Sequence, residues 1–258
     1  MRTILSIMFA AVALVALVGC GGNEAVAPTG FAPGQTAEAY AYVHGGYVGQ
    51  AVVTTNDEGS IDVTLDEAFL PHTLAIVDME SGDWNEDNTV FYVQRGNEVR
   101  VAKWISYNGT NYTGVTVGGA LAYVESGENG EPAGGAILEK TILRNEGNMK
   151  AWWDSIADGS FMIYTEFGGS GAAVTTTSYG SLYKRGSGYW TDRGLTWQGN
   201  MDAIEEAAEE LGVGFTLDEM VRADDEWELA DAGTGATASD FKDYFALVQL
   251  AVARLAME

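Results

Sequence analysis

Residues 39–54 read Ala-Tyr-Ala-Tyr-Val-His-Gly-Gly-Tyr-Val-Gly-Gln-Ala-Val-Val-Thr, and they constrain the fold more than any other stretch. β-Branched and aromatic side chains suit a pleated, half-buried surface. Asn56-Asp57-Glu58-Gly59 then supplies turn residues, and Ser60-Ile61-Asp62-Val63-Thr64-Leu65 alternates polar and apolar. This pattern predicts a hairpin with one buried face. A second strand pair is expected at 89–94 and 99–106, with further strands at 115–124 and 161–167.

Three segments carry a helical period instead. Over 148–157, Met149, Trp152, Trp153 and Ile156 share a face. Over 201–211, Ile204, Ala207, Ala208 and Leu211 point one way, and Glu205, Glu206, Glu209 and Glu210 are expected on a solvated face. Over 239–257, Phe241, Tyr244, Phe245, Val248, Val252 and Leu255 form an apolar stripe. Early strands with helices mixed in later predict an α+β fold, an antiparallel sheet with packed helices.

The chain opens with Arg2 and an apolar run from Ile4 to Val18, too short for a comfortable membrane span. Positive charge, short apolar core and small residues read as a secretory signal over 1–19. Leu17-Val18-Gly19-Cys20 resembles the lipobox of bacterial lipoproteins, which implies acylation of Cys20, the single cysteine. That places the domain outside the cytoplasm, lipid-anchored to the cell membrane. Residues 20–37 read as a flexible tether spanning about 25 Å, and 38–258 as the folded domain.

Charge narrows the function classes. With Arg2 lost along with the signal, 12 basic residues face 37 acidic ones, a net charge of −25. Such a chain is a poor ligand for nucleic acid, whose binding depends on neutralising phosphates. Metal binding has few candidate ligands, since His44 and His72 are the two histidines. No Walker loop or dinucleotide fingerprint is present, and Gly168-Gly169-Ser170-Gly171 lacks the spacing. No serine has a convincing His and acid partner set, so no catalytic residue is assigned.

One stretch stands apart: Asp231-Ala232-Gly233-Thr234-Gly235-Ala236-Thr237, just ahead of the last predicted helix. Its glycines suit a turn, and Thr237 with Asp240 resembles a capping box. A helix N-terminus also offers unpaired N–H groups and the positive end of a dipole to a phosphate. The spacing of Asp, Thr, Gly, Ala and Thr resembles the flavinylation motif of the FMN-binding domain family. The likeness extends over most of 40–257. It includes Tyr47-Val48-Gly49-Gln50-Ala51, Asn148-Met149-Lys150-Ala151-Trp152-Trp153, Gly188-Tyr189-Trp190-Thr191, Trp197-Gln198-Gly199-Asn200-Met201 and Asp240-Phe241-Lys242-Asp243-Tyr244. It is nearest to bacterial extracellular electron-transfer flavin lipoproteins.

The resemblance implies an FMN-binding-domain-like fold and one FMN joined to Thr237 by a phosphoester. Thr234, Gly235 and Ala236 would form the loop presented to an FAD:protein FMN transferase, with Asp231 as its acidic lead. It also implies an electron carrier rather than an enzyme, fed by a quinone-linked membrane dehydrogenase and discharging to extracellular acceptors. Tyr189, Trp190 and Trp197 are candidates to flank the flavin ring, although ordinary core or loop packing is the simpler reading of each. A non-redox ligand-binding lipoprotein is the alternative, and a flavin reductase with its own substrate ranks behind both.

Overall fold

A computed structural model gives the fold and describes residues 30–57, 59–94, 96–192, 195–212, 214, 217, 220–223, 226–229, 232–233 and 241–255. It begins with β1 (Thr36–Val43), β2 (Tyr47–Thr55), β3 (Ile61–Ala68), the short α1 (Pro71–Leu74) and a 3-10 turn at Met79–Ser81. There follow β4 (Thr89–Gln94), β5 (Asn97–Ala102), β6 (Trp104–Tyr107), β7 (Thr110–Val117), β8 (Ala120–Ser126) and β9 (Pro132–Gly134). Next come α2 (Leu138–Ile142), α3 (Glu146–Ala157), β10 (Met162–Tyr164), β11 (Ala172–Ala173), β12 (Thr191–Asp192), β13 (Leu195–Thr196) and α4 (Trp197–Leu211). The chain continues with β14 (Met220–Ala223), β15 (Glu226–Leu229), β16 (Ala232–Gly233) and α5 (Phe241–Leu255). The class is α+β, and every strand pairing among the described residues is antiparallel.

The first sheet is the meander β1-β2-β3. Residues 39–54, expected as one strand, form two. His44 and Gly45 adopt positive φ (49° and 65°), and the chain reverses there, so that Val43 pairs with Tyr47. Gly45-Gly46 makes that reversal inexpensive, because glycine populates positive φ freely. Before β1, Gly34 already donates to the Thr55 carbonyl and Thr55 Oγ1 to that of Ala32, so the bonded structure starts ahead of residue 38.

Along β3, Ile61, Val63 and Leu65 are buried while Asp62 and Thr64 are exposed, the period of two expected of a strand with one covered face. That face packs on α4 and α5 through Met201, Ile204, Ala208, Phe245 and Val248. Gly49 permits the approach of α5: a Cβ there would lie 2.7 Å from Val43 Cγ2 and 3.0 Å from Leu247 Cδ2. On the opposite side, Tyr40, Val48 and Phe69 join a second core with Ile105, Tyr123, Leu138, Trp152 and Phe161. This second core is covered by the six-stranded sheet β11-β10-β6-β7-β8-β9, the β4-β5 pair and helices α2 and α3.

α3 and α4 begin earlier than their apolar periods suggest, and the caps explain why. Asn145 accepts from the Asn148 N–H at the start of α3, and Thr196 from the Gly199 N–H at the start of α4. The acidic face of α4 is only half solvated. Glu206 and Glu210 are exposed, but Glu205 accepts from the Leu65 N–H at 2.5 Å and Glu209 from the Val63 N–H at 2.7 Å. These carboxylates cover β3, an edge strand whose outer N–H groups need partners.

α5 is held at its far end by Arg254, which donates to the Glu38 carbonyl and to Glu146. Leu247 lies over Gly49, so the helix runs from the β1-β2 turn toward the start of β1. Its N-terminal end therefore sits at the same edge of the molecule as His44-Gly45-Gly46. Among the described residues no helix is long and apolar enough to cross a membrane.

Candidate functional site

The segment 179–190 carries no helical or strand period, yet backbone hydrogen bonds tie it down. It lies along the outer edge of β3. Phe69 N–H donates to Leu182 O (3.3 Å), Ala68 pairs with Tyr183, and Lys184 N–H donates to Glu67 O (2.9 Å). Two consecutive cations then point to opposite sides. Lys184 turns inward and forms an ion pair with Glu67, both side chains fully buried. Arg185 turns outward, donating from Nε to Leu65 O (3.0 Å) and from its guanidinium to Asp202 and Glu205.

The Glu67 carboxylate also accepts from the Tyr244 hydroxyl, so α5 joins the same buried group. Above it the Lys184 ammonium lies 3.2 Å from the Tyr47 ring centroid and 4.4 Å from that of Tyr189. A cation over an aromatic face gains from the ring quadrupole, most when desolvated. The two tyrosine hydroxyls bond one another, and the rings meet edge to face at 5.8 Å. Tyr179 stacks on Phe69 at 5.4 Å and meets Tyr189 edge-on at 5.0 Å.

Tyr47, Tyr179, Tyr189 and Trp190 line a slot of about 190 Å³ together with Thr73, Gln94, Asn97 and Val99. A second recess of about 220 Å³, at His44, Gly45, Gly46 and His72, shares Tyr47 with it. Aromatic walls with a few polar groups are a usual lining of small-molecule sites.

The predicted residues divide clearly. Tyr189 and Trp190 line the slot. Trp197 does not: it is 4% exposed and packed in the first core, and its backbone N–H donates to Trp190 O. Tyr47, Tyr179 and Lys184 are equally part of the site and were not legible as such. Of the 231–237 motif, the structure describes Ala232 and Gly233 as β16. Asp231, Thr234, Gly235, Ala236 and Thr237 lie outside the described residues, as does Cys20. The flanks of the motif are informative: Gly233 pairs with Glu228, and Phe241 stacks on the adjacent Trp227 at 5.1 Å and 8°. Both ends of 234–240 therefore meet at neighbouring residues of β15.

The Arg185 clasp makes stability depend on pH. Burial pushes the Glu205 carboxyl up to about 7, against the opposing pull of the Leu65 N–H and Arg185, and burial raises Asp66 to about 6. A folded-state pKa above the unfolded one favours folding with the proton bound, so this contribution is full below about 4.5 and is lost as pH rises through about 7. Glu205→Gln keeps an oxygen for the Leu65 N–H and should flatten the fall in unfolding free energy between pH 4.5 and 7. Urea titrations of both proteins across that range check this, and parallel slopes would count against it.

Compared with protein-family models, curated proteins and solved structures, the chain matches none of them.

Proposed function

We propose that the protein is a membrane-anchored, extracytoplasmic electron carrier of the FMN-binding-domain type, with FMN covalently attached to Thr237. The carrying observation is the Asp231–Thr237 spacing ahead of α5. In the sequence Thr237 lies four residues ahead of Phe241, the first described residue of α5, and a helix N-terminus favours negative charge through its N–H groups and dipole. The attachment would be made outside the membrane by an FAD:protein FMN transferase acting on Thr234, Gly235, Ala236 and Thr237, with Asp231 leading the loop.

The slot supports the same reading. Tyr47, Tyr179, Tyr189 and Trp190 offer aromatic faces to a flat ring system, and Gln94 and Asn97 offer both donors and acceptors to its polar edge. The N-terminal end of α5 lies toward this edge of the first sheet, and Tyr244 in its first turn reaches Glu67 beneath the tyrosines. The flavin would supply the redox chemistry, and these residues its position and local polarity. Donors of the quinone-linked membrane dehydrogenase class and extracellular acceptors complete the proposed route.

Cys20 supplies the anchor in this reading. Cys20→Ser should shift the protein from the membrane to the soluble fraction, read by fractionating cells and blotting. A serine variant that stays with the membranes would remove the lipobox from the account.

A specific observation keeps a second reading in play: the slot suits a flat aromatic ligand whether or not one is covalently held. In that case the chain is a non-redox binding lipoprotein. The visible spectrum of protein purified from its native membranes separates the two. Flavin absorption that persists through acid precipitation supports the carrier, and a colourless protein supports the binder.

A further inference from the structure

The two ends of the β7-β8 pair meet different surroundings. At one end Gly119 of the connecting turn accepts from the Val93 N–H, next to Gln94 of the aromatic slot. At the other end, about 20 Å away along an eight-residue strand, lies an open hollow of about 490 Å³. Thr110, Asn111, Glu125, Ser126, Glu128 and Phe167 line it.

Phe167 is firmly placed there. Gly130, at φ 76°, lies against its ring, and a Cβ at that position would be 2.5 Å from Phe167 Cγ and 2.8 Å from Trp104 Nε1. Trp104 Nε1 donates to the Gly130 carbonyl at 2.9 Å, and its ring lies 6.3 Å from that of Phe167. The same carbonyl accepts from Thr113 Oγ1 at 2.9 Å, and Thr113 bonds the Ser126 hydroxyl at 2.8 Å. Gly127 N–H donates to Glu131 O at 2.7 Å and closes the loop. Ring and loop are therefore set before any ligand arrives, which lowers the cost of binding one.

The remaining polar side chains are uncommitted. Asn111, Glu125 and Glu128 are exposed, and their side chains make no hydrogen bond or ion pair with any described residue. An amide that donates and accepts, and two carboxylates that accept, thus stand around one aromatic ring. That lining complements a molecule with an apolar C–H face and a hydroxyl-bearing edge. An anion is disfavoured by Glu125, Glu128 and the net charge of the chain. Among the described residues no group of three or more His, Cys, Asp and Glu is gathered to hold a metal ion. An organic ammonium gains little from exposed carboxylates and leaves the Asn111 donors unused.

We propose that this hollow binds a neutral saccharide ring, its C–H face on Phe167 and its hydroxyls bonded to Asn111, Glu125 and Glu128. The inference goes beyond the flavin reading and does not depend on it, because the hollow lies at the opposite end of β7 from the slot and uses no residue of the 231–237 motif. A free sugar and a unit of a polysaccharide present the same chemistry, and chain length separates them.

The test is a calorimetric titration of the full mature chain, carrying Cys20→Ser and expressed without any flavin transferase. The probes are glucose, cellotetraose, N-acetylglucosamine and chitotetraose, with spermidine as the cationic control. Saturable one-site binding of at least one sugar is expected, and none of spermidine. Equal affinity for a monosaccharide and its tetramer supports a free sugar, and a tighter tetramer supports a polysaccharide. Asn111→Ala should weaken binding about fivefold, the usual net worth of one hydrogen bond. Phe167→Ala should abolish it, and Phe167→Tyr, which keeps the ring, should stay within about twofold of the parent. Asn111 is exposed, so its variant remains decisive even if loss of the Phe167 ring disturbs its contact with Trp104. No saturable binding of any sugar, an Asn111→Ala chain with unchanged affinity, or binding of spermidine in place of the sugars would each overturn the proposal. None of these outcomes bears on whether Thr237 carries flavin.

Discussion

Replacing Thr237 by valine should leave a folded protein that carries no flavin. Valine is nearly isosteric with threonine and removes one hydroxyl, the atom that the proposed phosphoester requires. α5 is anchored in the first core by Phe241, Phe245, Val248 and Ala251 and at its far end by Arg254. If Thr237 also caps α5, the substitution costs about 1 kcal/mol, small beside the 5–15 kcal/mol typical of a folded domain. The expected pattern is therefore complete loss of bound flavin with a urea midpoint close to that of the parent. Thr234→Val, in contrast, should reduce the yield of attachment without removing its acceptor. A Thr237→Val protein that retains flavin through acid precipitation would show that the linkage is elsewhere.

The second large effect concerns the buried ion pair. Lys184→Met leaves the Glu67 carboxylate fully buried with its counter-charge gone. Breaking a buried pair from one side costs about 3–5 kcal/mol, because the remaining charge is stranded in a low dielectric. The loss should spread beyond stability. Lys184 lies under the Tyr47 and Tyr189 rings, and Glu67 holds Tyr244 of α5, so the slot and the helix that follows the motif share one support. Lys184→Met combined with Glu67→Leu removes both charges and should recover much of the stability, since well-packed apolar residues often replace such pairs at little cost. Urea unfolding of the single and double variants measures this as a coupling energy. A single variant within about 0.5 kcal/mol of the parent, the range of ordinary surface substitutions, would contradict the burial of this pair.

Much of the scaffold was legible from periodicity. The three helical stripes correspond to α3, α4 and α5, and the alternation over 61–65 corresponds to the inward face of β3. The division of 39–54 was missed because aromatic and β-branched residues continue on both sides of His44-Gly45-Gly46. The Gly-Gly pair was the available signal. The charge pattern of α4 misled for a different reason. A row of glutamates on a helix normally faces water, and nothing local shows that Glu205 and Glu209 meet the edge of β3.

The candidate site was legible only in part, and the missing part is long-range. Tyr189 and Trp190 were singled out as aromatic, whereas Tyr47 sits within a strand pattern and Tyr179 within an irregular loop. Lys184 is 117 positions from Glu67 in the chain. Its burial follows from the docking of 179–190 on β3, which depends on backbone bonds that no local pattern announces. Trp197 looked the same as Trp190 in sequence, but the Thr196 cap turns it into the first turn of α4 and hence into the core.

One particular hydroxyl, that of Thr237, is proposed to carry the cofactor. Cleavage after Arg222 and Lys242 releases residues 223–242 as a single peptide whose only hydroxyl side chains are Thr234, Thr237 and Ser239. Fragmentation mass spectrometry of this peptide, from protein co-expressed with the transferase, assigns any adduct to one of the three. The expected result is a mass increase of FMN less one water that begins at Thr237 in the fragment series and is absent without the transferase. An adduct on Thr234 or Ser239, or an unmodified peptide from protein made with active transferase, would contradict it.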